Sequence, residues 1–293
     1  MVSTPGALGT TQTAIKAPPF RMKNAAERKS TRWLKMLIYG TYGVGKTYLA
    51  ASAVEVASLN NIFMISAESG DLTIETEPKF DNITTVSVTN FKVFNTIYQF
   101  LKQHCEARDK GDMDTLRKLQ ALFTEVPVEE IEDPMIFRTV IVDSLSEVES
   151  YCMNQIMSIS ESTALDEEAQ STEWKDYGKN NVMMKRLVRA LRDLPMNVIF
   201  TSAEKYKQDE QKKFKYSPDL IGKLSKELQG FVDLVGYYVQ GKNGEETMRR
   251  LHVVPSPQGR FDAKHRFGSV FKKDYFDNPS IGSILKDVGL LIK

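Results

Sequence analysis

The stretch Leu34-Lys-Met-Leu-Ile-Tyr-Gly40-Thr-Tyr-Gly43-Val-Gly45-Lys46-Thr47 decides how this chain is read. An apolar run enters a G-x-x-x-x-G-K-[ST] pattern with every fixed position filled. Glycine lets the backbone curl until successive N–H groups point inward, toward phosphate oxygens that a side chain would obstruct. The following run, Tyr48-Leu-Ala-Ala-Ser-Ala-Val-Glu-Val-Ala-Ser, reads as a helix whose positive end faces the anion. A strand before the loop and a helix after it make a chance glycine turn the poorer account. The expected ligand is ATP with Mg²⁺, cradled by Gly40, Thr41, Tyr42, Gly43, Val44, Gly45, Lys46, Thr47 and Tyr48. Lys46 would reach the β- and γ-phosphates and the Thr47 hydroxyl would hold the metal.

Working outward, strand-like runs recur at Leu34–Tyr39, Asn61–Ser66, Ile83–Val88, Thr139–Val142 and Asn197–Thr201. Helical patterns lie between them, near Tyr48–Leu59, Phe91–Arg108, Leu145–Ile159 and Trp174–Leu194. This alternation predicts an α/β fold with a mainly parallel sheet and helices on both faces. The strands are almost continuously apolar, as strands covered on both sides should be. Past Leu220 the pattern changes. Gly236–Gln240, the turn Lys242-Asn-Gly-Glu, and Thr247–Val254 predict a β-hairpin, hence antiparallel edge strands near the C-terminus. Gly111–Pro134 and Glu161–Ser171 read as insertions or disordered loops, the first with room for one short helix.

The formal charge of +1 hides an uneven distribution. Residues 1–33 carry Lys16, Arg21, Lys23, Arg28, Lys29 and Arg32 against Glu27 alone, six cations to one acid. They predict a mobile basic arm for nucleic acid or a neighbouring subunit, or a solvated leader with no partner. Residues 34–270 form the expected nucleotide-binding domain and 271–293 a tail packed on it. No apolar run approaches a membrane span and no signal-peptide core follows Met1, so the expected compartment is cytoplasm. Cys105 and Cys152 lack C-x-x-C spacing and read as buried thiols on helices.

Chemistry is expected at the carboxyl ends of the strands. Arg138-Thr-Val-Ile-Val-Asp143-Ser144 ends in an acid placed to orient Mg²⁺ together with Thr47. Glu68, just past the second strand, is the candidate base for the attacking water, or a surface turn residue. Thr201 or Ser202 would hydrogen-bond the γ-phosphate or water and report its presence, or serve only to make a turn. Lys205, Lys207, Lys212, Lys213, Phe214, Lys215 and Tyr216 interleave cations with aromatics in an expected loop. They suit the phosphates and unpaired bases of single-stranded DNA, or form a plain hairpin over the site. Lys264 and Arg266, with one spacer, project to the same side of an extended chain, to meet the γ-phosphate of a neighbouring subunit or, as spacing alone favours, to lie in solvent.

The order of these motifs resembles the RecA-like ATPase superfamily. Phe63-Met-Ile-Ser-Ala-Glu68 is similar to that family's strand bearing a catalytic glutamate, and Val140-Ile-Val-Asp143-Ser144 to its magnesium strand. Lys264-His-Arg266-Phe267-Gly268 resembles the Lys-Asn-Arg-Phe-Gly motif of RadA, which implies that Lys264 and Arg266 act across a subunit interface. The likeness is nearest to compact phage-encoded RecA-like proteins, including Sak-type single-strand annealing recombinases, and spans about Leu34 to Val270. It implies an ATPase that binds single-stranded DNA, self-associates, and works with a single-strand-binding protein. Unlike RecA, residues 1–293 are expected to hold no separate C-terminal DNA-binding domain and no clear N-terminal polymerising helix. A nucleotide-switched adaptor or loader with little DNA contact is the alternative.

Overall fold

The computed structural model describes residues 33–68, 70, 72–159, 163, 171–208, 212–244 and 246–288. The basic arm and most of 161–171 therefore lie outside the described residues. The run before the phosphate loop forms β1 (Lys35–Gly40), with all six residues buried. After the loop comes α1 (Lys46–Ala51), extended by a 3₁₀ turn at Ser52–Glu55. Then follow β2 (Ile62–Ser66), the short α2 (Leu72–Glu75), β3 (Thr84–Ser87), α3 (Val93–Lys110) and α4 (Met113–Ala121). The central segment supplies β4 (Thr139–Asp143), α5 (Leu145–Ile156), α6 (Trp174–Asp193) and β5 (Asn197–Gln208). The remainder gives β6 (Phe214–Pro218), α7 (Leu224–Phe231), β7 (Leu234–Asn243), β8 (Glu246–His252), β9 (Lys264–His265), β10 (Tyr275–Asp277) and α8 (Ile281–Val288).

The sheet runs β10-β8-β7-β1-β5-β4-β2-β3, with β6 paired to β5 and β9 to β7. From β7 to β3 neighbouring strands are parallel, while β6, β8, β9 and β10 join antiparallel. Period-two alternation divides the strand side chains between two buried layers. Leu37, Tyr39, Phe63, Ile65, Val140, Val142, Val198 and Phe200 face a layer built from α3 and α5–α7. Met36, Ile38, Ile62, Met64, Ile141 and Ile199 face the opposite layer, which holds Leu49 of α1 and Ile281, Ile284 and Leu285 of α8. Burial on both faces is why the strands read as unbroken apolar runs. The fold is an α/β arrangement with a mainly parallel sheet, helices on both faces and antiparallel edge strands.

Gly111–Pro134 contains more regular structure than expected: α4, with Asp112 accepting the Thr115 N–H as its cap, then a 3₁₀ turn at Val128–Glu130. The C-terminal hairpin forms, with its turn one residue later than the Asn-Gly reading, since Asn243 still pairs with Glu246. Past residue 270, Phe271, Phe276, Ile281, Ile284, Leu285 and Val288 are buried in the second layer. The Ile281 N–H donates to Ser52 Oγ at 2.9 Å, and β10 adds a strand that no alternation in its three residues announces. Cys105 and Cys152 are free thiols buried in α3 and α5. Among the described residues, no helix is long and apolar enough to cross a membrane.

Candidate nucleotide-binding site

The loop from Gly40 to Thr47 is held from beneath and open above. A Cβ on Gly40 would stand 2.1 Å from the carbonyl oxygen of Tyr238 on the neighbouring strand, so only hydrogen fits. Val44 is buried and pins the loop to the core, while Thr41, Tyr42 and Gly43 face solvent. Gly43 and Gly45 have φ of 74° and 96°, the left-handed region that side chains resist. The Leu49 N–H donates to Gly45 O at 2.9 Å, starting α1 directly from the loop. Tyr48 faces away from this curl and meets the Phe80 ring edge-on at 5.3 Å.

Lys46 is buried, and its ammonium donates to Gly40 O at 3.1 Å and Thr41 O at 2.9 Å. Burial lowers its pKa, opposed by the nearby carboxylates of Glu68, Asp143 and Glu204. A cation resting on its own loop carbonyls can exchange them for phosphate oxygens.

Register places the acid behind the loop. Strand β5 lies between β1 and β4, pairing Ile38 with Thr201 and Phe200 with Val142. Thr201 therefore lies beside Asp143, the last residue of β4. Asp143 is almost fully buried and both its oxygens are engaged. Oδ2 accepts the Thr47 hydroxyl at 2.6 Å and Oδ1 accepts the Thr201 hydroxyl. A Cβ on Gly70 would come within 3.4 Å of Asp143 Oδ2 and 3.7 Å of Thr47 Oγ1, so glycine leaves this corner uncrowded. Hydroxyl and carboxylate oxygens are the hard donors Mg²⁺ takes, and the pair fits it. The Thr201 expectation needs correction: its hydroxyl is fully buried and spent on Asp143, so it supports the acid rather than facing the loop.

Glu68 follows β2, and its Oε1 accepts the hydroxyl of Ser144, the residue after Asp143. Ser144 also caps α5 by accepting the Glu147 N–H. One short segment thus positions both candidate carboxylates. Farther along α5, Ser146 Oγ accepts the Ala203 N–H at 3.0 Å and donates to Asp219 O at 3.0 Å. Glu149 accepts the Ile221 N–H at 2.8 and 2.9 Å. Its burial raises its pKa to about 7, against the Ile221 hydrogen bond and the charge of Lys205.

Of the two readings of residues 205–216, loop or hairpin, the described part takes the hairpin. Tyr206 pairs with Tyr216, Lys207 with Lys215 and Gln208 with Phe214. Pairing with period two sorts the side chains, lysines 205, 207 and 215 on one face and Tyr206, Phe214 and Tyr216 on the other. Lys205 donates to Leu220 O and Lys215 pairs with Asp262 at 2.9 Å, while Lys207, Lys212 and Lys213 are exposed. Tyr206 and Phe214 are exposed and meet edge-on at 5.4 Å.

Lys264 and Arg266 sit far along the strands from the phosphate loop of this chain. Lys264 pairs with Val235 near the amino end of β7, where β1 begins, whereas the loop follows the end of β1. At about 3.3 Å per residue the gap along the strands is roughly 10 Å or more. Lys264 Nζ donates to Val232 O at 3.1 Å and the Arg266 guanidinium to Gly230 O, capping α7. Within one subunit the pair cannot serve the phosphate loop.

Residues 32–267 match the AAA_24 family model, an AAA domain. The chain belongs to the AAA_24 family. The match covers β1 through β9 and every candidate residue above. No curated protein matches the sequence. Many solved structures are similar, three of which follow. The flagellar accessory protein FlaH of Methanocaldococcus jannaschii is 12% identical, with 85% of this chain and 87% of that one covered and a TM-score of 0.40. The RadB recombinase is 14% identical, with 83% and 86% covered and a TM-score of 0.38. A KaiC-like protein of Pyrococcus horikoshii is 12% identical, with 80% and 82% covered and a TM-score of 0.35. Likeness at this level says nothing of substrate or partner.

Ser144, Ser146 and Gly70 are the site residues that motif reading passed over. Their importance lies in contacts across the fold, to Glu68, Asp219 and Asp143, which no local pattern encodes.

Proposed function

We propose that this AAA_24 protein is a Mg²⁺-dependent ATPase that binds single-stranded DNA and promotes annealing or strand pairing, in the manner of compact phage recombinases. The observation that carries the ATPase reading is Asp143 joined to Thr47 and Thr201, with Glu68 linked to the same turn through Ser144. Thr47 and Asp143 would hold Mg²⁺, which would supply charge neutralisation at the phosphate oxygens. Lys46 leaves Gly40 O and Thr41 O for the β- and γ-phosphates. Glu68 takes the proton of the attacking water, with Ser144 fixing the carboxylate's orientation.

The DNA reading rests on the hairpin, where exposed rings offer stacking surface and exposed lysines offer phosphate contacts. The contacts of Ser146 and Glu149 tie α5 to the segment following that hairpin, a route from the nucleotide site to bound DNA. Lys264 and Arg266, remote from their own loop, are assigned to the phosphate loop of a neighbouring subunit, and a single-strand-binding protein is the expected partner. The trans assignment predicts that wild-type specific activity rises with protein concentration while Arg266→Ala stays flat. Identical concentration profiles would remove it.

One observation favours the adaptor reading. Leu122 and Phe123 are 74% and 54% exposed, near the acidic Glu125, Glu129 and Glu130, a patch suited to a protein partner. ATP turnover measured with and without single-stranded oligonucleotide separates the two. Stimulation that fades steeply with salt supports the recombination reading. Unchanged turnover and salt-insensitive binding would leave the adaptor.

A further inference from the structure

Two consecutive arginines on β8 meet different fates. Arg250 forms two hydrogen bonds to the Asp277 carboxylate, at 2.6 and 3.0 Å, and lies 3.8 Å from the Tyr275 ring centre. Arg249, on the opposite face of the strand, points toward the phosphate loop. Its guanidinium carbon and Nε both stand 3.5 Å from where a Cβ on Gly45 would be. Among the described residues its side chain makes no hydrogen bond or ion pair, and it is exposed. The backbone beneath it is fixed. The Arg249 N–H donates to Asn278 Oδ1 at 2.9 Å, and the Asn278 N–H donates to Arg249 O at 2.6 Å. Asn278 adopts φ of 43° to do so.

An anchored, unpaired guanidinium held against the last glycine of a phosphate loop supplies what a polyphosphate needs. Its planar fork gives paired donors that match phosphate oxygens, and Gly45, lacking a side chain, leaves the approach clear. We propose that Arg249 is a phosphate ligand of the nucleotide, supplied from β8 by the same subunit that supplies Lys46. The assignment rests on the nucleotide reading above and adds to it a residue outside the loop motif. It also distinguishes two cation sources: Arg249 acts in cis, independent of assembly, whereas Lys264 and Arg266 act only between subunits.

The test is calorimetric titration of wild type, Arg249→Met and Arg249→Gln with Mg-ADP and with Mg-tripolyphosphate, at low salt and dilute protein. Loss of a charge-assisted hydrogen bond should weaken both ligands about tenfold or more in both variants. Ligand-free melting temperatures close to wild type would show that the fold is intact. Unchanged affinity in either folded variant would overturn the proposal. So would a loss confined to Mg-ADP, which would place Arg249 against the nucleoside instead. If wild type takes up neither ligand, the nucleotide reading itself fails, a result distinct from either of these.

Discussion

The Thr47 hydroxyl and the Asp143 carboxylate, 96 positions apart in the chain, meet at 2.6 Å. The contact joins the end of the phosphate loop to the carboxyl end of β4, even though β5 intervenes in the sheet. The inserted strand contributes Thr201 to the other oxygen of the same carboxylate. A buried acid held from both sides cannot swing away from the hydroxyl with which it would share a metal.

Asp143→Asn should therefore cost turnover far more than it costs fold. Loss of charge at a metal-bearing position is expected to lower the rate about 10²- to 10³-fold. Thr47→Ser keeps the oxygen and should retain most activity, whereas Thr47→Val should behave like Asp143→Asn. Steady-state ATPase rates at varied Mg²⁺ check this, and equal losses for the serine and valine variants would count against a metal-holding hydroxyl.

Glu68→Gln should separate binding from chemistry. Glutamine can still accept the Ser144 hydroxyl, but it cannot take a proton from water, so nucleotide affinity should persist. The rate should fall about 10²- to 10⁴-fold. Normal hydrolysis by this variant would assign the water to another group.

Gly40→Ala tests the loop's footing instead of its chemistry. The new methyl would lie 2.1 Å from a backbone oxygen of β7, which cannot move without disturbing the sheet. Destabilisation of about 1–3 kcal/mol or more is expected by urea denaturation. Gly236→Ala makes the contrast: its nearest obstacle is the Leu251 side chain at 2.5 Å, which can change rotamer, so the cost should be smaller.

The pH dependence of stability should carry a mark of Glu149. Its folded pKa of about 7 lies above the ordinary glutamate value, so between these limits the native state binds more protons than the unfolded chain. This contribution is full at pH 4 and below and declines as pH rises to about 7. Glu149→Gln should flatten that decline in melting temperatures recorded from pH 4.5 to 7.5, and an unaltered slope would show that burial does not govern this carboxyl. Lys35 works in a different window. Burial lowers its pKa to about 7, so its contribution improves as pH rises from there toward the free-lysine value.

Much of this was legible in the residues, for reasons that differ by element. Strands β1, β2, β4 and β5 are buried on both faces, so their apolar runs stood out within a residue or two of their true start. The phosphate loop was legible because its chemistry demands fixed residue types at fixed spacing. Strands β9 and β10, of two and three residues, and the short α7 and α8 were not, because tertiary pairing rather than local pattern creates them. Thr201 was placed on the right strand but given the wrong contact: β5 runs past it to Gln208, and local pattern does not show that β5 lies between β1 and β4. Arg249 gave no signal at all. Its role depends on a strand 200 residues downstream lying beside the loop, a fact of topology alone.

The central claim is that main-chain amides of Gly40–Thr47, the Lys46 ammonium and the Thr47–Asp143 pair grip a nucleotide's phosphates. Calorimetric titration of the wild-type chain with Mg-ATP, beside Lys46→Ala, tests it most directly. Saturable uptake near one nucleotide per chain by wild type, lost or greatly weakened in the variant, is the predicted result. Folded wild-type protein that takes up no magnesium nucleotide, or a Lys46→Ala variant that binds equally well, would contradict the account.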